Sequence, residues 1–229
     1  LRVINYSFRY FKILLPRHKK VKHFRTVRNF PHVSDTLKKE VKQYLDRLSE
    51  IYRAIDSAYS GALGRYNFSC RGCSDNCCVT KFHHHTLVEE LYLAEGLKKL
   101  GEAELRAIIL RARNVAEAHN SSPEDVRIMC PLNENGLCIP YEYRPMICRI
   151  HGVPYELFRN FKMEYGDGCY IFMNKNADRA KDFRINRTGF YLDIAMLEKE
   201  VRESLNITEK YKRTTAEMVL NIIDGKRKA

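Results

Sequence analysis

Residues 70–78 read Cys-Arg-Gly-Cys-Ser-Asp-Asn-Cys-Cys, so Cys70, Cys73, Cys77 and Cys78, half of the chain's eight cysteines, fall within nine positions. Cross-linking removes most chain entropy when it closes long loops, and gaps of two, three and zero residues close almost nothing. A metal ion, by contrast, must be approached by several sulfurs at about 2.3 Å, which demands close spacing. Gly72 lies in the two-residue gap, where a tight turn brings Cys70 and Cys73 toward one ion. Metal ligation is therefore expected rather than a disulfide framework. A thiolate site implies a reducing compartment, and hence the cytoplasm.

The other cysteines lie downstream. Residues 130–138 read Cys-Pro-Leu-Asn-Glu-Asn-Gly-Leu-Cys, and residues 139–149 continue Ile-Pro-Tyr-Glu-Tyr-Arg-Pro-Met-Ile-Cys-Arg. Cys169 follows in Tyr-Gly-Asp-Gly-Cys-Tyr, residues 165–170. All eight are candidate ligands: Cys70, Cys73, one or both of Cys77 and Cys78, and Cys148 first, then Cys130, Cys138 and Cys169. Adjacent residues such as Cys77 and Cys78 point apart on a regular backbone. Either two four-ligand sites share the pair, or one four-cysteine site is supported by the remaining thiols. Buried thiolate sites carry excess negative charge that needs nearby donors or cations. Arg71, Arg144 and Arg149 adjoin the ligand segments, and Arg144 and Arg149 are candidates to contact the bound group. The alternative is that they are solvated or pair with Glu142. Soft thiolate suits zinc and iron–sulfur alike. An all-cysteine set favours an iron–sulfur cluster of the 4Fe-4S type, because many catalytic zinc sites use histidine and water.

These segments resemble the cysteine-cluster proteins described as putative zinc- or iron-chelating domains, the YkgJ-like family. Members carry a cysteine run ending in a Cys-Cys pair and a downstream segment like that formed here by Cys130, Pro131, Leu132, Gly136, Cys138, Tyr141, Glu142, Arg144, Pro145, Cys148 and Arg149. Pro140 departs from the pattern, which usually places Ile directly before the Tyr. The likeness spans roughly residues 67–170. It implies metal binding without a defined activity. Phe68, Cys73, Asp75, Cys77 and Cys78 are also similar to the first motif of the flagellin lysine N-methylases, which implies an S-adenosylmethionine-dependent enzyme as an alternative. No glycine-rich loop following a strand supports that alternative locally.

Outside the cysteine segments the chain reads as helical. Hydrophobic residues make up 45% and charged residues 30% of 229, ordinary for a globular protein able to bury its own core. No apolar run approaches the roughly 20 residues that span a bilayer. The first residue is not Met, so an upstream segment is an open expectation. Asn67, Asn120, Asn186 and Asn206 begin glycosylation-like triplets, a pattern that arises often by chance. Residues 1–33 form a basic aromatic arm: positions 1–34 hold nine Lys or Arg and no acidic residue. The rest holds 31 basic against 28 acidic side chains, so most of the net charge of +12 belongs to the arm.

Residues 34–66 hold a long helix starting at Ser34 and ending near Gly61, with Leu37, Val41, Tyr44, Leu48, Ile51, Ile55 and Ala58 in heptad register. That seam packs on the chain's own core or on another copy. The cysteine domain covers 67–170. Within it Thr86 and Glu89 form a capping box for one helix stopped by Gly101, and a second helix runs from Glu102 to His119. Residues 130–190 are irregular, with short strands expected, for instance around Cys169–Met173. Residues 171–229 return to helix, the last one capped by Thr208 or Thr214 and ending before Gly225. The fold class is mainly α, a helical protein around a loop-rich, cysteine-organised centre with a few short strands.

His83, His84 and His85 follow Cys78 closely and His151 follows Cys148 by three. One of them completes a metal site or binds substrate, or they are solvated in a loop before the helix. The arm offers an anionic partner (nucleic acid, membrane surface or acidic protein) a basic contact, or is a solvated tail. Three functions follow: a metal-cluster protein, structural or redox-active; a methylase-like enzyme; and a zinc-stabilised adaptor using the arm and the heptad helix.

Overall fold

The computed structural model describes residues 35–70, 77–121 and 126–227; the basic arm and Cys73 lie outside them. The chain order is α1 (Asp35–Tyr66), β1 (His83–His84), α2 (Leu87–Lys98), α3 (Glu102–Ser121), β2 (Asn133–Glu134), β3 (Leu137–Cys138), α4 (Met146–Ile150), β4 (Tyr155–Arg159), β5 (Lys162–Gly166), α5 (Tyr170–Asn176), β6 (Ile185–Asn186), α6 (Thr188–Ser204), β7 (Arg213–Thr214) and α7 (Thr215–Arg227). The fold is mainly helical with a few short strands, as expected. Among the described residues no helix is long and apolar enough to cross a membrane.

α1 organises the rest. Its buried stripe is Leu48, Tyr52, Ile55, Ala62 and Tyr66, covered by α2, α4 and α6. Each fully buried Leu or Ile contributes about 1.5–3 kcal/mol, so the middle of the expected heptad seam is spent on the chain's own core. The helix does not stop near Gly61. It continues through Gly61 and Gly64 because Ala62 and Tyr66 pack with Val153, Phe172 and Ile185. That burial outweighs the roughly 1 kcal/mol helix penalty of each glycine. The true stop is Asn67, at φ 46°. Its N–H donates to Gly64 O at 3.2 Å and the Phe68 N–H donates to Leu63 O at 3.0 Å, with Leu63 and Phe68 in one apolar cluster. This is a Schellman closure with Asn in the left-handed position, and it aims the chain into Cys70.

α2, α3 and α7 enclose a second cluster of Leu97, Ile108, Ala112, Val115, Val219 and Ile222, on which Leu132 and the partly buried Cys130 and Cys138 also pack. Thr214, not Thr208, caps α7. The Thr214 N–H donates to Glu217 Oε2 at 2.6 Å, and the Glu217 N–H donates to Thr214 Oγ1 at 3.3 Å, a complete capping box. α7 then runs through Gly225 to Arg227, past the expected stop. At α2 the box is altered. Thr86 precedes the helix but its hydroxyl donates to Glu89 Oε2 at 2.5 Å, and Glu89 is drawn inward to accept from the Met146 N–H at 2.6 Å and the Tyr52 hydroxyl at 2.8 Å.

Strands serve as clips. β1 pairs antiparallel with β7, β2 with β3, and β4 with β5, while β6 lies parallel to β4. His83 and His84 are therefore strand, with His85 in the short link to α2, and His84 is buried with Nε2 3.0 Å from Thr215 Oγ1. Cys169–Met173 is not a strand but the start of α5. Cys169 caps that helix, its Sγ accepting from the Phe172 N–H at 3.4 Å.

Candidate functional site

Seven of the eight candidate cysteines are described, and none is in a disulfide. Cys70 follows the closure of α1. Cys77 and Cys78 open a short 3-10 turn, Cys77–Val79. The Cys130 N–H donates to Cys78 O at 2.9 Å, which ties the two sequence segments together directly. Cys130 in turn accepts from the Asn133 N–H at 2.9 Å as the chain enters the β2–β3 hairpin, whose last residue is Cys138. Cys148 lies in α4, and the Cys169 N–H donates to Gly152 O at 3.0 Å.

The thiols fall into two neighbourhoods. Burial pushes the Cys148 thiol well above its ordinary value, and the adjoining Cys130, Cys138 and Cys78 push it further. Cys138 is pushed up to about 12 by burial and then by Cys130 and Cys78. Cys130 rises to about 12, again by burial first and with Cys78 adding to it. Cys130, Cys138 and Cys148 thus lie within electrostatic reach of Cys78, and Cys77 is raised by Cys148 as well as by Cys70, so the two neighbourhoods meet at the Cys77–Cys78 pair. The second neighbourhood surrounds the Tyr59 hydroxyl, raised by burial and then by Cys70, Cys169 and Cys77. Tyr59 donates to His151 O at 2.7 Å. A Cβ on Gly152, at φ +113°, would lie 2.9 Å from the Tyr59 hydroxyl and 3.9 Å from Cys169 Sγ, so only glycine fits there.

Cys77 and Cys78 are the seam. The Cys77 thiol donates to Cys78, which raises Cys77 and lowers Cys78, and a hydrogen bond with the Asn133 side chain lowers Cys78 further. Among the described residues no three His, Cys, Asp or Glu side chains form a ready cage for one ion. The donors themselves are thiols, the ligand type that soft metals favour. Clustered thiols that raise one another cannot ionise together unless a cation shares their charge.

Arg144 and Arg149 lie at this cluster but are anchored by a residue that the sequence reading missed. Asp56 accepts from Arg149 at 2.5 Å and from Arg144 at 3.2 Å. Arg149, 2% exposed, also donates to Arg144 O at 2.9 Å and to Glu142 O, and lies 3.9 Å over the Tyr52 ring. The expected pairing with Glu142 is thus to its carbonyl, not its carboxylate. Both guanidiniums lower the Cys138 thiol against the dominant effect of burial. Asp56 neighbours Ile55 on the buried stripe of α1, the one sequence signal that marks it. Tyr59 and Asn133 were also missed, and nothing in their sequence context distinguishes them. Arg71 lies outside the described residues. No protein-family model, curated protein or solved structure matches the chain.

Proposed function

We propose that this is a metal-binding protein in which two sets of four cysteines each hold a metal centre, an iron–sulfur cluster in preference to zinc. Cys78, Cys130, Cys138 and Cys148 make one set. Cys70, Cys77 and Cys169, with Cys73 completing the close spacing, make the other. The observation that carries this reading is the meeting of Cys78, Cys130, Cys138 and Cys148 from three separate segments, tied where the Cys130 N–H donates to Cys78 O at 2.9 Å and reflected in the rise that Cys78, Cys130 and Cys138 impose on Cys148. Splitting the adjacent pair between sets resolves the difficulty of turning Cys77 and Cys78 toward one ion. Bound clusters would supply one-electron chemistry or a structural cross-link. Arg144 and Arg149, held by Asp56, would offset the thiolate charge of the first set. The resemblance to putative zinc- or iron-chelating proteins agrees with this assignment.

Anaerobic purification with iron, zinc and acid-labile sulfide analysis tests it. Iron and sulfide in cluster ratio, with visible absorption that bleaches on reduction, are expected. Loss of one centre in Cys138→Ser and of the other in Cys169→Ser would establish the partition. Stoichiometric zinc without sulfide would replace the cluster by a structural centre. A stable, metal-free protein carrying disulfides would overturn the reading.

A further inference from the structure

Beside the cysteines, between the histidine run, α4, the base of the β4–β5 hairpin and α6, lies a cavity of about 600 Å³. Small-molecule sites commonly enclose about 300–1,000 Å³ with apolar walls and a few convergent polar groups. Phe82, Ile147, Val153 and Ile194 provide the apolar wall here.

The charges in the wall are unequal. Lys81, Arg187 and Lys212 line it against two carboxylates, Glu89 and Asp167. Both carboxylates are already engaged: Glu89 by Tyr52, Thr86 and the Met146 N–H, and Asp167 by Arg184 at 2.6 Å. Arg187 is buried and held in place, donating to Ile150 O and lying 3.6 Å over the Tyr155 ring. Lys81 donates to His119 O at 3.3 Å, and Lys212 is exposed at the rim. His83 and His151 add no further charge. His83 is pushed down to about 4 by burial and then by Lys212, and His151 to about 4 by burial and then by Arg187. They are neutral at pH 7 and offer one donor and one acceptor each. His83 Nδ1 is shielded from solvent with no hydrogen-bond partner in the protein.

We propose that this cavity binds a small organic anion, a carboxylate or phosphate ester on a flat apolar body. Its head is drawn by the cationic lining of Arg187 and Lys212, with Lys81 adding to the field, and its body lies along Phe82, Ile147 and Ile194. The site adjoins the second cysteine set through one stretch of backbone. His151 and Gly152 line the cavity, and their carbonyls accept from Tyr59 and from the Cys169 N–H. The inference does not rest on the metal reading, since none of these groups is a proposed ligand.

The test uses the full chain with phenylphosphate, benzoate and benzylamine, followed by calorimetry and ligand-observed NMR. Either anion should bind at least about tenfold more tightly than benzylamine, a difference of about 1.4 kcal/mol. The tighter of the two identifies the head group. Lys212→Glu should weaken the anion severalfold. Ala195→Phe, which places a ring in the cavity from α6, should abolish binding with the melting temperature preserved. Binding of benzylamine as tight as the anions, anion binding unchanged in both variants, or no binding of either anion would overturn the proposal. Because metal content is read separately, failure here leaves the cluster assignment standing, and the reverse holds.

Discussion

Glu198 shows how one side chain sets a pH dependence. Its Oε2 accepts from the Val88 N–H at 3.0 Å at the start of α2. Burial pushes its carboxyl up to about 7 from 4.5, against the Leu87 and Val88 N–H groups and Arg202, while Glu89 adds to the rise. A raised carboxyl binds its proton more tightly folded than unfolded, so stability falls as pH climbs from about 4.5 to 7. The contribution is about 2–3 kcal/mol. Glu198→Gln should remove that fall; the histidine contributions cancel when parent and variant are compared. Urea unfolding at pH 5 and 7.5 measures it, and parallel parent and variant curves would refute it. Asp56 gives a second prediction at this scale. Asp56→Asn leaves Arg144 and Arg149 without their carboxylate, costing about 1–3 kcal/mol in metal-free protein. With thiolates of the Cys138 set ionised around a metal, the arginines keep an anionic neighbour and the loss should shrink. An equal loss with and without metal would show that they do not sense the cluster.

Elements were legible where local chemistry and burial agree. Glu102–Ser121 matches its sequence pattern nearly end to end, because Ile108, Ala112 and Val115 recur on one face and are the residues buried. Reading failed where distant packing overrode local signals. α1 crosses two glycines to deliver Tyr66, and Cys169 starts a helix because its sulfur caps it. The β1–β7 clip was invisible because two-residue strands carry no periodicity. The packing of the Tyr141–Tyr143 turn on α2 was equally hidden. A Cβ on Gly96 would lie 2.5 Å from Tyr143 Cγ, so only glycine lets the turn seat between Cys138 and Cys148. Gly96→Ala must push the ring away and should cost about 1–3 kcal/mol by overpacking. It should also lower metal retention in the first set, while the conservative Gly101→Ala, with open space around it, should do neither. A Gly96→Ala protein with parental melting temperature and metal content would show that the turn is not held by this contact.

At the scale of the whole molecule, the site was legible as a set of cysteines but not as a partition. The spacing of residues 70–78 is what points to the proposed metal chemistry. It carries no information on which thiols meet, since that depends on the Cys130 N–H reaching Cys78 O and on Gly152 admitting Tyr59. The assembled fold divides only in part what the metal would hold from what hydrophobic burial holds. The facing sides of α3 and α7 are held by apolar burial alone, whereas residues 130–150 and the start of α5 combine a few core residues, Leu132, Met146, Ile150 and Phe172, with short hydrogen-bonded turns around the cysteines. Metal binding energy is folding energy for such segments. Anaerobic chelation should therefore raise amide hydrogen exchange first in residues 130–150 and 166–172, with α3 and α7 retaining protection until global unfolding. Uniform loss of protection would mean that the metal supports the entire core. Protection unchanged in protein confirmed to have lost its metal would mean that the hairpin, α4 and α5 stand without it, and the centres would then be reactive rather than structural.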